Sequence, residues 1–281
     1  MAANTQYVTM DILRNAPLPT HGKSYSVIPH SFIIDETKKE LQANGFDIVR
    51  ELYKVNKEGQ IAQGIYHLGF SSDADMGMMF AWSNSYNKTM KFKCAVGAQV
   101  FICMNGVVSG DFANYSRKHS GPTALNDALS SIKHQIKNAF TYYNQLVQDK
   151  EMLKTVNLSK KDQSALLGRL FADEEILTTT QTTIVKREMN TPTFNYNADP
   201  NSAWAMYNHV TLALKESHPI NYLSDHQQVH QFFVNEFGQL ITPGVPPTED
   251  VQPDVQPDVQ VMELETEEVE SSDNEFGVIF S

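Results

Sequence analysis

The sequence predicts an α+β protein: an antiparallel or mixed sheet backed by a long amphipathic helix, further C-terminal helices, and a disordered acidic tail. Three observations carry this expectation. Apolar residues recur with period two between Asp47 and Val108, and with a spacing of three to four after the breaker Gly121-Pro122. Composition then changes abruptly at Pro243-Gly244-Val245-Pro246-Pro247. The chain therefore divides into an extended N-terminal arm (1–29), a single α+β domain (30–243) and a tail (244–281).

The arm mixes Pro17, Pro19, Gly22 and Pro29 with Asn and Thr, which suits a loop able to cross to a neighbouring subunit. Phe32, Ile33 and Ile34, followed by Thr37 to Leu41 and then Gly45, predict a short helix closed by a C-terminal glycine. Asp47–Val55 and Gln60–Phe70 read as a β-hairpin around Asn56-Lys57-Glu58-Gly59. Met78–Ser83 reads as the next strand, with a polar turn at Asn84–Asn87, and Lys88–Val108 as one long strand bent or bulged at Gly97 and followed by the turn signal Asn105-Gly106. In that strand Phe92, Cys94, Val96, Ala98, Val100 and Ile102 fall on one face, while Lys91, Lys93, Gln99 and Phe101 fall on the other.

Leu125, Leu129, Ile132, Ile136, Phe140, Tyr143 and Val147 predict one amphipathic helix over 123–150. Ser159-Lys160-Lys161-Asp162 is a capping box ahead of Leu166, Leu167, Leu170 and Phe171. Thr178–Glu188 is β-branched and ambiguous. Helices are expected over Ser202–Ser217 and Ser224–Phe237. The repeat Val-Gln-Pro-Asp at 251–258 cannot bury enough apolar surface to order itself.

Charge is distributed unevenly. The chain holds 22 Lys+Arg against 33 Asp+Glu. Eleven of those acids lie in 247–281, which has no Lys or Arg, so residues 1–246 hold 22 acids against 22 bases. Within that neutral body, Lys88, Lys91, Lys93, Arg117, Lys118, Lys133 and Lys137 outnumber Asp111 and Asp127 between Ala81 and Lys137. The same stretch carries Tyr86, Phe101 and Tyr115. Aromatic platforms beside Lys and Arg are how sequence-tolerant single-strand binders work; the competing reading is ordinary sheet packing beside a solvated basic face.

Catalytic signatures are absent: no phosphate-cradling Gly-rich loop with Lys-Ser/Thr, no nucleophile elbow, no His-Glu-x-x-His. His226 and His230 lie one helical turn apart, which makes half a metal site or a solvated polar face. Asp73 and Asp75 fit turn chemistry or a carboxylate pair. Cys94 and Cys103 are expected as buried thiols. No cofactor, metal or catalytic residue is expected. Without a signal peptide or an apolar run long enough to span a bilayer, the chain is expected to be soluble and to have no membrane partner.

Ser83-Asn84-Ser85-Tyr86, Gly97-Ala98-Gln99-Val100-Phe101-Ile102-Cys103-Met104-Asn105-Gly106 and Ser202-Ala203-Trp204-Ala205-Met206-Tyr207-Asn208-His209-Val210-Thr211 resemble, in order and spacing, a family of phage- and plasmid-encoded proteins, domain of unknown function 932. The resemblance runs over about residues 20–217. It implies a mobile-element origin, a bacteriophage first, and hence a host-cell cytoplasmic location. It supplies no activity. The order hairpin, long strands, long helix is also similar to that of phage single-strand annealing proteins of the Red-beta type, which form rings with nucleic acid in a basic groove.

The resulting expectation is an oligomeric phage protein that binds or anneals single-stranded DNA in replication or recombination. Lys88, Lys91, Lys93, Arg117 and Lys118 would neutralise phosphates, and Tyr86, Phe101 and Tyr115 would stack bases. The acidic tail would compete with DNA, and its tip, Phe276, Val278, Ile279 and Phe280, would recruit phage or host replication and recombination proteins. The alternative is a non-enzymatic interaction protein, an inhibitor of host defence or a virion or cargo component; an enzyme comes third.

Overall fold

The computed structural model describes residues 5–20, 26–56, 58–101, 105–108, 123–218 and 220–238. The chain divides into two units, Met1–Pro243 and Gly244–Ser281, and the second lies outside the described residues. The first is α+β. Its sheet is a six-stranded meander in chain order, every neighbour antiparallel: β1 (Thr5–Val8), β2 (Ile48–Asn56), β3 (Ile61–Leu68), β4 (Met76–Ser85), β5 (Lys93–Val100) and β6 (Asn105–Val108). The N-terminal stretch expected as an extended arm instead supplies the edge strand β1 and the short helix α1 (Met10–Arg14), whose Leu13 is buried.

Helix α2 (His30–Ala43) ends before Gly45, whose φ of +77° supplies the expected glycine stop. The β2–β3 hairpin turns at Gly59, φ +69°. One predicted element divides. The strand expected over Lys88–Val108 is two strands, because the chain reverses after Val100 and pairs Val100 with Asn105; Asn105 and Gly106 lie in β6 rather than in a turn. Gly97 sits in unbroken register with Met79 and Val108, so it forms no bulge.

The helix expected over 123–150 is also two, α3 (Ala124–Lys137) and α4 (Ala139–Thr155). Asn138 separates them: its side-chain amide donates to the His134 carbonyl at 2.9 Å, competing with the helical ladder. The buried face is rotated from the expected one, since Leu125 and Phe140 are exposed while Ala128, Ser131 and Gln135 are buried. Beyond it lie α5 (Lys160–Gly168), with the Ser159–Asp162 capping box formed, followed by a π-turn at Arg169–Asp173. The ambiguous stretch is a helix, α6 (Thr179–Asn190), because Thr178 and Gln181 form a second capping box that outweighs the β-branched residues. Helices α7 (Ala203–Ala213) and α8 (Tyr222–Phe237) complete the unit.

One face of the sheet carries the main core. Met78, Phe80 and Trp82 of β4 and Cys94, Val96 and Ala98 of β5 join Ile33 and Ile34 of α2, Ile132 and Ile136 of α3, and Tyr143 and Leu146 of α4. Burial pushes the Cys94 thiol pKa up, which keeps it an inert core residue; Cys103 lies outside the described residues. The opposite face is covered only in part. Tyr222 and Leu223 of α8 pack on Met79, Ala81 and Ala95, so all ten residues of β4 are buried. Among the described residues, no helix is long and apolar enough to cross a membrane.

Candidate nucleic-acid interface

The structure scatters the predicted interface. Lys88 and Lys91 are exposed in the β4–β5 connection, where Lys88 takes the left-handed φ of +63°. Lys93 begins β5 half-buried, its Nζ donating to Ser224 Oγ of α8 at 2.5 Å, and burial lowers its pKa. Tyr86 is no stacking platform. It is 3% exposed, its ring stacks on His30 at 3.9 Å, and its hydroxyl accepts the His30 backbone N–H at 2.7 Å, filling the start of α2. Phe101 is exposed but stands beyond the other end of β5, roughly 26 Å from Lys93 at about 3.3 Å per residue. Its ring lies over Gly77, where any Cβ would meet it at 2.7 Å. Arg117, Lys118 and Tyr115, and Phe276, Val278, Ile279 and Phe280 of the tail, lie outside the described residues.

What the fold does assemble is a cationic cleft on the open half of the second sheet face. Pleating puts Arg50, Leu52 and Lys54 of β2 on one side, and antiparallel register sets Arg50 beside His67, Leu52 beside Ile65, and Lys54 beside both Tyr7 and Gln63. The start of α8 borders the cleft through Tyr222. A cavity of about 340 Å³ results, lined by Tyr7, Arg50, Lys54, His67, Lys215 and Tyr222 around a floor of Leu52, Ile65, Met79, Gln99 and Gly106. Three cations and two tyrosines line it, and among the described residues no carboxylate does. Lys54 Nζ lies 5.0 Å from the Tyr7 ring centroid and 6.0 Å from that of Tyr222. A Cβ at Gly106 would come within 2.8 Å of the Tyr222 hydroxyl and 3.0 Å of Met79 Cε, so a larger residue there would push these side-chain ends aside.

His67 forms the polar depth of the cleft. It is 8% exposed, and neither ring nitrogen has a hydrogen-bond partner among the described residues. Burial first, and then the Arg50 charge, lower its pKa to about 4, so it is neutral at pH 7 with one nitrogen able to donate. In the Lys54 row, the buried Gln63 amide likewise has neither atom bonded among the described residues. Buried polar groups are normally satisfied, which makes both positions informative.

The remaining candidates serve the frame. Asp73 Oδ1 accepts the backbone N–H groups of Asp75 and Met76, and Lys150 Nζ reaches Asp73 at 2.5 Å and Asp75 at 3.3 Å. Turn chemistry and paired carboxylates thus both hold, with lysines from α4 neutralising the pair. His226 and His230 are buried rather than on a solvated face. His230 Nε2 lies 3.0 Å from Asp149 Oδ2 and its Nδ1 lies 3.4 Å from the Tyr207 hydroxyl, joining α4, α7 and α8 in the interior. Among the described residues, no group of three or more His, Cys, Asp or Glu side chains is placed to hold a metal.

Sequence reasoning missed Tyr7, Arg50, Lys54, His67, Lys215 and Tyr222. The alternation Arg50-x-Leu52-x-Lys54 was the available signal. Its meaning depended on β1 and α8, which join this face only through long-range pairing.

The chain belongs to the family described as Domain of unknown function (DUF932), whose match covers residues 17–231 and so takes in the whole sheet beyond β1 and most of α8. No curated protein and no solved structure matches it.

Proposed function

We propose that this chain binds single-stranded nucleic acid, DNA first, through the cleft over β1–β3, as a mobile-element protein of replication or recombination. The observation that carries this reading is the convergence of Arg50, Lys54 and Lys215 with Tyr7 and Tyr222 in a cavity that no acidic side chain among the described residues lines. Cations beside aromatic faces provide phosphate neutralisation together with sequence-tolerant base stacking. Tyr7, 66% exposed on the edge strand, is the platform for a base.

The test is a fluorescence-anisotropy titration of single- and double-stranded oligonucleotides at two salt concentrations. The reading expects salt-sensitive binding that favours the single strand. Absence of binding at low salt rejects it.

A second reading, a non-enzymatic interaction protein, draws on Tyr7, Ile12, Leu18 and Val49, large apolar side chains left exposed around the N-terminal stretch and β2. A partner retained after nuclease treatment and lost on changing Ile12 and Leu18 to Ser would favour it. In that reading the tail tip Phe276–Phe280 is a second docking motif.

A further inference from the structure

We infer that the cleft takes the phosphorylated end of a nucleic-acid strand, holding a terminal phosphate monoester against His67, Arg50 and Lys215. This rests on the reading of the cleft as a nucleic-acid site and specifies what part of the strand occupies it.

On the second sheet face α8 lies beside the cavity: Tyr222 lines it and packs with Leu223 on Met79, Ala81 and Ala95. The cavity is about 340 Å³, within the range of small-ligand sites, which suits a terminal group more than a run of nucleotides.

An internal phosphodiester carries one negative charge, whereas a terminal phosphate carries about 1.5 to 2 near pH 7 and offers three acceptor oxygens. Arg50 and Lys54, in a cavity that no carboxylate among the described residues lines, already present more positive charge than one diester uses.

His67 is more than nine-tenths buried, lines the cavity, and leaves both nitrogens without a partner among the described residues. Such a group is costly unless something bonds to it. A phosphate oxygen accepts from its protonated nitrogen, and Arg50, its cross-strand neighbour, supplies the bidentate fork that phosphate recognition favours. No bond is made or broken in this account; the site captures an end.

The experiment uses the full chain and four forms of one fluorescent single strand: 5′-phosphorylated, 3′-phosphorylated, hydroxyl at both ends, and circular. One phosphorylated form is expected to bind about tenfold more tightly than the hydroxyl and circular forms, the increment of one charge-assisted hydrogen bond; which one assigns the 5′ or the 3′ end. Deoxyadenosine monophosphate should compete, and deoxyadenosine should not. In Arg50→Leu/His67→Leu, checked for native circular dichroism, the ratio between phosphorylated and hydroxyl strands should fall toward one. Should that variant misfold, the competition by the monophosphate against the nucleoside decides alone. Equal binding of all four forms overturns the inference and leaves single-strand binding standing, whereas a phosphate preference that survives in folded Arg50→Leu/His67→Leu removes it from this cleft. Failure of every form to bind at low salt overturns the proposed function itself.

Discussion

Tyr7 and Lys54 face each other across the β1–β2 ladder, and Lys54 Nζ lies 5.0 Å from the centre of the Tyr7 ring. This cross-strand pair brings the first described strand of the chain against the cationic row of β2 and sets an exposed aromatic beside a lysine. Tyr7→Ala is expected to weaken single-strand binding by about 5- to 100-fold, the range for loss of one stacked base. Tyr7→Trp should retain binding. Anisotropy titration of the two variants checks this, and equal affinities would remove Tyr7 from the interface.

Deleting 247–281 removes eleven acidic side chains from a chain whose formal net charge is −11. The remaining body is neutral, so its repulsion of a polyanion disappears. Affinity for single strands should rise at low salt and converge with that of the full chain as the salt screens the difference. A deletion that leaves the low-salt affinity unchanged would contradict this role for the tail.

Stability should fall with acid before the carboxylates titrate. His67 and His209 have pKa values lowered to about 4, and His226 to about 3, all by burial first. Unfolded histidines protonate near 6.5, so from there downward the unfolded state takes protons that the folded state refuses, and folding weakens. Asp225, raised to about 6 by burial, works in the opposite direction. The net difference is roughly two protons, or about 2 to 3 kcal/mol per pH unit near pH 5. Urea midpoints measured from pH 7.5 to 4.5 should decline over that window, and a flat profile would mean these imidazoles are not held neutral.

Lys150 is the lysine whose loss should cost most. Its side chain is 2% exposed and contacts Asp73, Asp75 and Glu151. Burial alone would lower its pKa, yet Asp73 and Glu151 hold it raised. For Asp75, burial pushes upward, while Lys154, Asn197 and Lys150 together keep it below the ordinary carboxylate value. Lys150→Met takes the cation from Asp73, while Asp75 keeps Lys154, and should cost about 3 kcal/mol. Adding Asp73→Asn should recover part of that, because the double change removes a charge left without its closest partner. A double-mutant cycle in urea measures the coupling, and strict additivity would show that the pair does not interact.

The fold class, the Gly45 stop, the Asn56–Gly59 hairpin and the Ser159 cap were legible in the sequence because each is set by residues a few positions apart. The Thr178–Gln181 cap was equally local but hidden among β-branched neighbours. Period alone could not separate β5 from β6, since a reversal preserves alternation; it also could not reveal that Asn138 would take a helical carbonyl for its own side chain. The site was harder still. Tyr86 has the composition of a stacking residue, and only the approach of His30 buries it. Lys88 and Lys91 cluster in sequence on the β4–β5 connection, outside the cavity, whereas Arg50, Lys54 and Lys215 are scattered in sequence and line it together.

The most direct measurement compares the salt dependence of single-strand binding in Arg50→Ala/Lys54→Ala/Lys215→Ala with that in Lys88→Ala/Lys91→Ala. Each phosphate contact removed should flatten the slope of log affinity against log salt by about 0.7. The triple variant is predicted to lose about two units of slope and most of its affinity, and the double variant to match the unaltered chain. A double variant that loses slope while the triple variant keeps it would place the interface on the β4–β5 turn and contradict the cleft.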